Sequence, residues 1–287
     1  MSWTITGQEA GSLGLLDQYG GAASAYSLRN LSLYHTDPVV RVRRDNDNAE
    51  QDFTAAEVSD GTLAAWVGAG NDGFVRTWYD QSGNGNNAQQ AIAARQPKIV
   101  DNGALVAEGG KTAIDFDGSD DGLDTATTVA NAGDTTVFVI SKADESEDAF
   151  RFVAGQWLGG STRKWNLIYS SSFFTQDSLY FGTNDGTNNN TPSITGNNDS
   201  LVQKLSTGIA KSTSTELFVN QVSAGVQSCS ALESTATKLF IGYQFNPPSA
   251  YGSFMDGKIQ EVIVYSSDQS ANRIAIEANI NAHYNIF

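Results

Sequence analysis

The chain has 287 residues, of which 40% are hydrophobic, and it carries a formal net charge of -15. This length supplies one large core or at most two small ones, and a single domain is the simpler interpretation. The negative charge opposes attraction to nucleic-acid phosphates and anionic membranes, so we expect no nucleic-acid partner and no membrane insertion. Only 17% of the residues are charged and 28 are glycine, a balance typical of strands joined by tight turns.

Residues 1–12 contain Trp3 and Ile5 but neither a basic start nor a long apolar run. We therefore predict no signal peptide and no transmembrane segment. Because Trp3 and Ile5 are large and apolar, we interpret residues 1–12 as a segment that docks onto a neighbouring subunit, and residues 13–287 as the folded domain. Cys229 is the single cysteine, which excludes an intrachain disulfide and a cysteine-based zinc site.

The first predicted helix lies within residues 13–33. Ala25, Leu28 and Leu31 recur there at a spacing that would place them along one face of a helix. A second short helix is expected at 62–67, before a glycine-rich stretch interrupts the chain.

Short apolar segments separated by Asn-Gly, Gly-Gly and Asp-Gly turns predict an antiparallel all-β fold. The predicted strands are 39–42, 74–79, 99–105, 112–116, 135–142, 150–154, 165–169, 178–182, 238–243 and 257–265, with a hairpin beginning at 216–222. Residues 257–265 are apolar on both strand faces, as in a central strand of a sandwich. Residues 183–198 are rich in Asn, Gly and Thr and are expected to form an exposed loop.

A helix is expected to end the chain. Ser267 or Asp268 is predicted to cap its start. Ile276, Ile280 and Tyr284 stand four residues apart, so they form one apolar stripe that can pack onto the sandwich.

Several segments resemble known families of this fold class. Tyr26-Ser27-Leu28-Arg29, Val40-Arg41-Val42-Arg43-Arg44 and residues 78–86, which contain Tyr-Asp-Gln-Ser-Gly-Asn-Gly-Asn, resemble the N-terminal part of the catalytic domain of fungal-type α-L-arabinofuranosidase B. Residues 113–121 and 257–265 are similar to the opening and closing strands of laminin-G-like jelly-roll domains, and residues 277–287 to the ending of versions found in phage structural proteins. The resemblance implies a concanavalin-A-like antiparallel β-sandwich with a short N-terminal helix and a C-terminal helix.

The catalytic carboxylates of the arabinofuranosidase family are missing at the matching positions. The nucleophile of that family is a glutamate in an Asp-Met-Glu-Asn-Asn-like string, whereas no glutamate occurs here between Glu147 and Glu216. Its acid is an aspartate after an Ile-Leu-Gly-Ile-Gly strand, whereas the matching residues 240–246 contain none. Because proton transfer and covalent catalysis both require these groups, we expect that the chain is not an enzyme.

Four aspartates form the candidate metal site: Asp115, Asp117, Asp120 and Asp121. Alternation along a strand places Asp115 and Asp117 on one face. Carboxylates this close repel one another unless a cation or solvent screens them. A bound calcium ion and a solvated turn both stay open as explanations, and no other cofactor is expected.

Two other polar groups favour a structural interpretation. Asp80 with Asn84 either caps a turn or binds a cation, and the turn is preferred because Asp and Asn commonly satisfy backbone donors there. Arg41, Arg43 and Arg44 either form an anion-binding patch or pair with nearby acidic residues, and the pairing is preferred in so acidic a chain.

Sugar binding by sandwich proteins generally combines an aromatic ring with a few amide or carboxylate groups. The candidate carbohydrate-binding residues are Trp157, Trp165, Asn166, Tyr243, Phe245, Asn246 and Tyr251. Each of the aromatic residues also fits a position in the core.

The resemblance to phage structural proteins and the missing catalytic carboxylates together favour a non-enzymatic bacteriophage structural protein. We expect it at the virion surface, where it would be a tail-fibre, receptor-binding or capsid-decoration component. Its expected partners are other virion proteins or copies of itself, and a host surface glycan. Two alternatives stay open. One is an arabinofuranosidase-like glycoside hydrolase with relocated carboxylates, and the other is a bacterial surface lectin-like adhesin.

Overall fold

The computed structural model describes residues 13–129, 133–144, 150–159, 162–170, 178–184, 189–190, 193–194, 201–229, 231–235, 237–246 and 250–287. The helices of this part are α1 (Leu15–Gln18), α2 (Ala55–Ser59), α3 (Thr62–Val67) and α4 (Arg273–Tyr284), with a 3-10 turn at Ala93–Arg95. No helix in the described part is long and apolar enough to cross a membrane.

Strands dominate the described residues. The strands up to residue 125 are β1 (Ala22–Ser27), β2 (Val40–Arg44), β3 (Glu50–Phe53), β4 (Gly73–Trp78), β5 (Ala88–Gln89), β6 (Lys98–Asp101), β7 (Ala104–Leu105), β8 (Ala107–Glu108), β9 (Lys111–Thr112), β10 (Ile114–Asp117) and β11 (Leu123–Thr125). The later strands are β12 (Thr135–Ala143), β13 (Arg151–Gly159), β14 (Thr162–Ser170), β15 (Ser178–Asn184), β16 (Asn189–Asn190), β17 (Ser193–Ile194), β18 (Lys204–Ala210), β19 (Ser214–Val219), β20 (Val222–Ser228), β21 (Phe240–Ile241), β22 (Gln244–Asn246), β23 (Ala250–Gly252) and β24 (Asp256–Tyr265).

The strands form two antiparallel layers joined at one side, which confirms the predicted all-β sandwich. One layer runs in the order β20-β19-β18-β12-β24-β1. The other runs β15-β14-β13-β21-β11-β5-β4-β2-β3. β10 pairs with both β24 and β6, and β6 pairs with β4, so the two layers are continuous through this region.

The long strand β24 is the centre of the first layer. It pairs with β12 along one side and with β1 and β10 along the other. Val262 and Val264 face the core between the layers, while Ile263 and Tyr265 face the helical side. The prediction of a central strand from apolar residues on both faces is therefore confirmed.

The C-terminal helix covers the outer face of the first layer. Ile276, Ile280 and Tyr284 of α4 are buried against β12 and β24, as their spacing predicts. The predicted cap is wrong, because α4 begins at Arg273 after Asn272, with no side-chain cap. Asp268 instead accepts a hydrogen bond from the backbone N–H of Ser270, at 2.8 Å, in the turn that precedes the helix.

The helix predicted across Ala25, Leu28 and Leu31 is also wrong. α1 ends at Gln18, and Ala25 lies in the middle of β1, all six residues of which are buried. Ala25 faces the helical side of the layer and Tyr26 the core. A strand buried on both faces carries apolar residues without strict alternation, so its pattern imitates a helix.

The turn formers after β4 hold β1 in place. Asp80 Oδ1 accepts hydrogen bonds from the backbone N–H groups of Ala25 and Ser82, both at 2.9 Å. Asp80 Oδ2 accepts from the Ser82 hydroxyl at 2.8 Å and from Asn86 N–H at 2.9 Å. The Asn84 amide donates to backbone carbonyls of β1. Both carboxylate oxygens of Asp80 are thus engaged by protein donors, which confirms its interpretation as a turn cap.

Candidate active site

Three of the four aspartates singled out in the sequence, Asp117, Asp120 and Asp121, meet at the turn between β10 and β11. Asp115 and Asp117 lie on one face of β10, and the turn that begins at Gly118, whose φ is 74°, brings Asp121 back beside them. One carboxylate oxygen from each of Asp117, Asp120 and Asp121 lies within 4.8 Å of the others. Sequence alternation and turn chemistry together therefore produce a compact acidic cluster.

Asp121 is the most unusual of these carboxyl groups. It is 6% exposed, and its Oδ2 accepts a hydrogen bond from Asp117 N–H at 3.1 Å. Burial, followed by repulsion from the Asp117 carboxylate, raises the pKa of Asp121 to about 7. A carboxyl with this pKa is partly protonated at neutral pH, as a general acid must be.

The neighbouring aspartates are held in different ways. Asp117 Oδ1 accepts hydrogen bonds from the backbone N–H groups of Ser119 at 2.9 Å and Asp120 at 3.3 Å, which fix its orientation. Burial raises the pKa of Asp115 even though the Lys258 ammonium lies 3.4 Å from its carboxylate. The three acids therefore differ in exposure and in partners, although they are near neighbours in sequence.

The cluster forms one wall of a cleft of about 540 Å³. The residues lining this cleft, which we call the acidic cleft, are Arg43, Phe74, Ala93, Ala94, Gln96, Lys98, Asp115, Asp117 and Asp121. A cavity of this size lies within the range of small-ligand sites, about 300–1,000 Å³.

The opposite wall of the acidic cleft is built around Arg43. Its Nε donates to Gln96 Oε1 at 2.7 Å, and its guanidinium carbon lies 4.9 Å from the centre of the Phe74 ring. The predicted pairing of the three arginines with nearby acids is confirmed for Arg41 and Arg44, whose partners lie 2.7 Å away. It is wrong for Arg43, because its position on β2 turns the side chain toward Gln96 and the cleft.

The metal prediction stays a prediction. Asp117, Asp120 and Asp121 bring together three oxygens of the type that calcium prefers. Asp115 lies beside Lys258, which competes with a cation for its charge. The raised pKa of Asp121 favours a proton over a free negative charge in the absence of a cation.

The carbohydrate-binding candidates divide between the two faces of the second layer. Trp157 and Tyr243 belong to an aromatic cluster on the outer face, and strand alternation places Asn166 on that face too. Trp165 faces the core, is fully buried and donates from its indole nitrogen to Gln156 Oε1 at 2.9 Å, which leaves no ring face for a sugar. The structure thus places Trp157, Asn166 and Tyr243 on one face and Trp165 on the other.

The remaining candidates fall outside the described side chains. Phe245, Asn246 and Tyr251 lie on the paired strands β22 and β23, of which the structure describes the backbone. Trp3 and Ile5 lie outside the described residues, so the docking segment stays a prediction.

The acidic cleft and the outer aromatic cluster adjoin each other. Gly122 follows Asp121, and a Cβ atom added to it would lie 2.0 Å from the Tyr243 ring. Tyr243 in turn stacks on Phe254, with ring centres 6.5 Å apart. The turn that carries Asp121 therefore packs directly against the aromatic residues.

Sequence reasoning missed Phe74, Gln96 and Lys98, and it assigned Arg43 to ion pairing instead of to the cleft. Phe74 lies on β4, Lys98 lies on β6, and Gln96 lies just before β6. The pairing of β6 with both β4 and β10 brings them to the aspartates. The charged side chains of Arg43 on β2 and Lys98 on β6 are the local signals for this wall of the cleft.

Comparison with known proteins finds the same fold in glycoside hydrolases. An arabinofuranosidase complexed with arabinofuranosyl-α-1,2-xylobiose matches with a TM-score of 0.69 at 14% sequence identity over 94% of this chain. A GH54 α-L-arabinofuranosidase soaked with a cyclic sulfate inhibitor matches with a TM-score of 0.71 at 14% identity. A mutant GH54 α-L-arabinofuranosidase soaked with 4-nitrophenyl α-L-arabinofuranoside matches with a TM-score of 0.72 at 15% sequence identity. The chain spans 65% of the length of each of these proteins.

No family model matches the sequence. No curated protein matches it either. The likeness to the arabinofuranosidases, at 14 to 15% identity, establishes the fold.

The expectation that the chain is not an enzyme is wrong as an exclusion. It rested on carboxylates missing from two motif positions, whereas solved structures that share the fold over 94% of the chain include glycoside hydrolases. The chain also gathers carboxyl groups at another place in the same sandwich, the acidic cleft. Missing motif residues do not rule out catalysis when other acids meet in a cleft.

Proposed function

We propose that the chain is a glycoside hydrolase whose active site is the acidic cleft. The observation that carries the proposal is the pair formed by buried Asp121 and exposed Asp117 in a cleft of about 540 Å³, with one oxygen of each carboxyl within 4.8 Å of the other. Retaining glycosidases hold their two carboxyl groups about 5–5.5 Å apart. The separation therefore favours the retaining reaction over the inverting one, which needs a wider gap for water.

In this reaction Asp121 is the acid and Asp117 the nucleophile. Asp121 transfers its proton to the glycosidic oxygen while the bond from that oxygen to the anomeric carbon breaks, and an Asp117 oxygen bonds to the anomeric carbon. In the second step Asp121 accepts a proton from water, whose oxygen displaces Asp117 and releases the sugar. The backbone N–H groups of Ser119 and Asp120 hold Asp117 in place for both steps.

The other wall of the cleft suits a sugar. Arg43 and Lys98 line it with N–H donors of the kind that recognise sugar hydroxyls. Gln96 accepts a hydrogen bond from Arg43 Nε and donates to the Gln90 carbonyl, so it holds Arg43 in place. Because solved structures that share the fold over 94% of this chain include arabinofuranosidases, α-L-arabinofuranosides are the first substrate class to test.

Hydrolysis of 4-nitrophenyl α-L-arabinofuranoside and of arabinose-bearing polysaccharide tests the proposal. We expect turnover by the purified chain, with a rate that falls as the pH rises above about 7 because Asp121 then loses the proton it must donate. D121N and D117N should each lose at least about a hundredfold in kcat. D37N removes an exposed carboxylate remote in sequence from the cleft and serves as the matched control.

Activity that survives in both D121N and D117N would refute the assignment of the active site. An absence of turnover on aryl glycosides and polysaccharides in the folded wild-type chain would refute the proposed reaction.

A place on a virus particle stays a prediction that is independent of catalysis. If residues 1–12 dock onto virion proteins or onto copies of the chain, deleting them should abolish incorporation into particles while thermal unfolding of the remaining domain is unchanged. Unchanged incorporation would contradict the docking role of Trp3 and Ile5.

A further inference from the structure

A second cavity lies between α2, the β8–β9 hairpin and the end of α4. We call it the α2–α4 groove, and its volume is about 610 Å³. Its lining residues are Leu28, Arg29, Asn30, Ala55, Ala56, Val58, Ser59, Leu105, Ala107, Gly110, Lys111, Thr112, His283 and Tyr284. All of these residues belong to the described part of the chain, and none of them is acidic. In a chain with 32 acidic and 17 basic residues, such a lining is unusual.

One of the two cations in the groove is already neutralised. Glu261, whose side chain is 1% exposed, accepts hydrogen bonds from Arg29 Nε at 2.9 Å and from Arg29 Nη2 at 3.1 Å. Arg29 Nη1 donates to Asn279 Oδ1 at 3.2 Å, and the Ser27 hydroxyl donates to Glu261 Oε2 at 2.7 Å. The Arg29 guanidinium is therefore rigidly held and makes up one end of the groove.

The second cation, Lys111, has no such partner. Its ammonium makes neither a hydrogen bond nor an ion pair with any residue that the structure describes. The two nearest acids along the chain are committed elsewhere, since Glu108 pairs with Lys142 at 2.9 Å and Asp115 lies 3.4 Å from the Lys258 ammonium. Lys111 thus adds an uncompensated positive charge to the groove.

The strand pair that carries Lys111 is fixed in position. Gln260, which is 1% exposed, donates from its amide to the backbone carbonyls of Glu108, Lys111 and Thr112 at 3.1–3.3 Å. The Gln203 amide donates in turn to Gln260 Oε1. A hairpin anchored to β24 in this way presents Lys111 without ordering a loop when a ligand binds, which favours affinity.

The rest of the groove offers neutral polar groups beside an apolar wall. Burial, together with the positive charges of Arg29 and Lys111, lowers the pKa of His283 to about 4, so its imidazole is neutral at pH 7 and can donate and accept hydrogen bonds. Asn30 and Ser59 add an amide and a hydroxyl. Leu28, Val58 and Leu105 form the apolar side.

We propose that the α2–α4 groove binds a small hydroxylated carboxylate, of the size and chemistry of a uronic acid. Lys111 pairs with the carboxylate, the neutral groups meet the hydroxyls, and the apolar wall lies against a ring face. The site is separate from the acidic cleft, and the proposal does not depend on the proposed hydrolysis.

Isothermal titration of the full chain with D-glucuronate tests the inference, with D-glucose and acetate as probes of hydroxyl-only and charge-only binding. We expect one molecule of glucuronate per chain, bound at least about tenfold more tightly than either control. K111Q should weaken glucuronate about tenfold, whereas K238Q, which removes the same charge from a lysine paired with Asp124, should leave the affinity unchanged. A56W, placed on an exposed position of α2, should fill the groove and abolish binding.

Three results would overturn the inference. They are no detectable glucuronate binding, acetate binding of equal strength, or glucuronate binding that K111Q and A56W leave unchanged. Repeating the titration with D121N separates the two proposals, because that variant loses the acidic cleft chemistry and keeps every group of the α2–α4 groove.

Discussion

Replacing Asp121 by asparagine should stabilise the fold above neutral pH while it removes the proposed acid. Burial and the Asp117 carboxylate raise the pKa of Asp121 from 3.8 to about 7. The folded chain therefore keeps a proton that the unfolded chain releases between these two pH values, and the free energy of unfolding falls as the pH rises through this window. The difference corresponds to at most about 4 kcal/mol, fully felt above about pH 7. The amide in D121N resembles the protonated carboxyl and keeps an oxygen that accepts from Asp117 N–H.

Urea unfolding followed by tryptophan fluorescence at about pH 3.5 and about pH 8 measures this effect. We expect D121N to match the wild-type chain at the lower pH, where Asp121 is protonated in the folded state, and to exceed it by about 2–4 kcal/mol at the higher pH. D37N replaces an exposed aspartate remote in sequence from the cleft and is the matched control. An equal effect of D121N at both pH values would refute the buried-acid reasoning. A loss of stability at the higher pH that depends on added calcium would identify Asp121 as a calcium ligand instead.

Two further substitutions test the architecture around the sites. Asp80→Ala should lower the free energy of unfolding, measured by urea titration, by about 3 kcal/mol, because four donors of the turn and of β1 lose their acceptor. An effect no larger than that of Asp37→Ala would contradict this expectation. Ile280→Ala should lower the free energy of unfolding by about 2–4 kcal/mol, because its side chain is fully buried between α4 and the first layer. The control Ile274→Ala, at an exposed position of the same helix, should change it by less than about 0.5 kcal/mol. Similar losses in the two isoleucine variants would show that α4 does not pack as described.

The elements that the sequence predicts correctly are those whose burial imposes a clear pattern. The stripe of Ile276, Ile280 and Tyr284 faces one layer only, so its spacing identifies a helix. β24 is apolar on both sides and long, so its place at the centre follows directly. β1 is equally buried but only six residues long, and its small residues at positions 22, 23 and 25 fit a helix as well as a strand. A short doubly buried strand gives no periodicity that would decide between the two.

The site was predictable only where it is local. Asp117, Asp120 and Asp121 lie within five positions, so a strand followed by a turn brings them together without any knowledge of the tertiary fold. Arg43 joins them through the pairing of β2 with β4, of β4 with β6 and of β6 with β10. Such chains of pairing have no signature in one sequence. The expectation of no catalysis had a different origin, because it rested on acids missing from the positions of a family motif and not on the acids that this chain places elsewhere.

Asp80 and Asp121 differ in how the protein satisfies their carboxyl groups with hydrogen bonds. Asp80 is partly buried and its two oxygens accept four hydrogen bonds, so its negative charge is satisfied by the fold that it helps to hold. Asp121 is more deeply buried, accepts one hydrogen bond from Asp117 N–H and has a second carboxylate beside it. A fold gains nothing from burying an acid in this way, because an alanine or asparagine would fill the same turn without repulsion. The contrast between the two residues favours chemistry over architecture as the role of Asp121, and the pH dependence of D121N measures that difference directly.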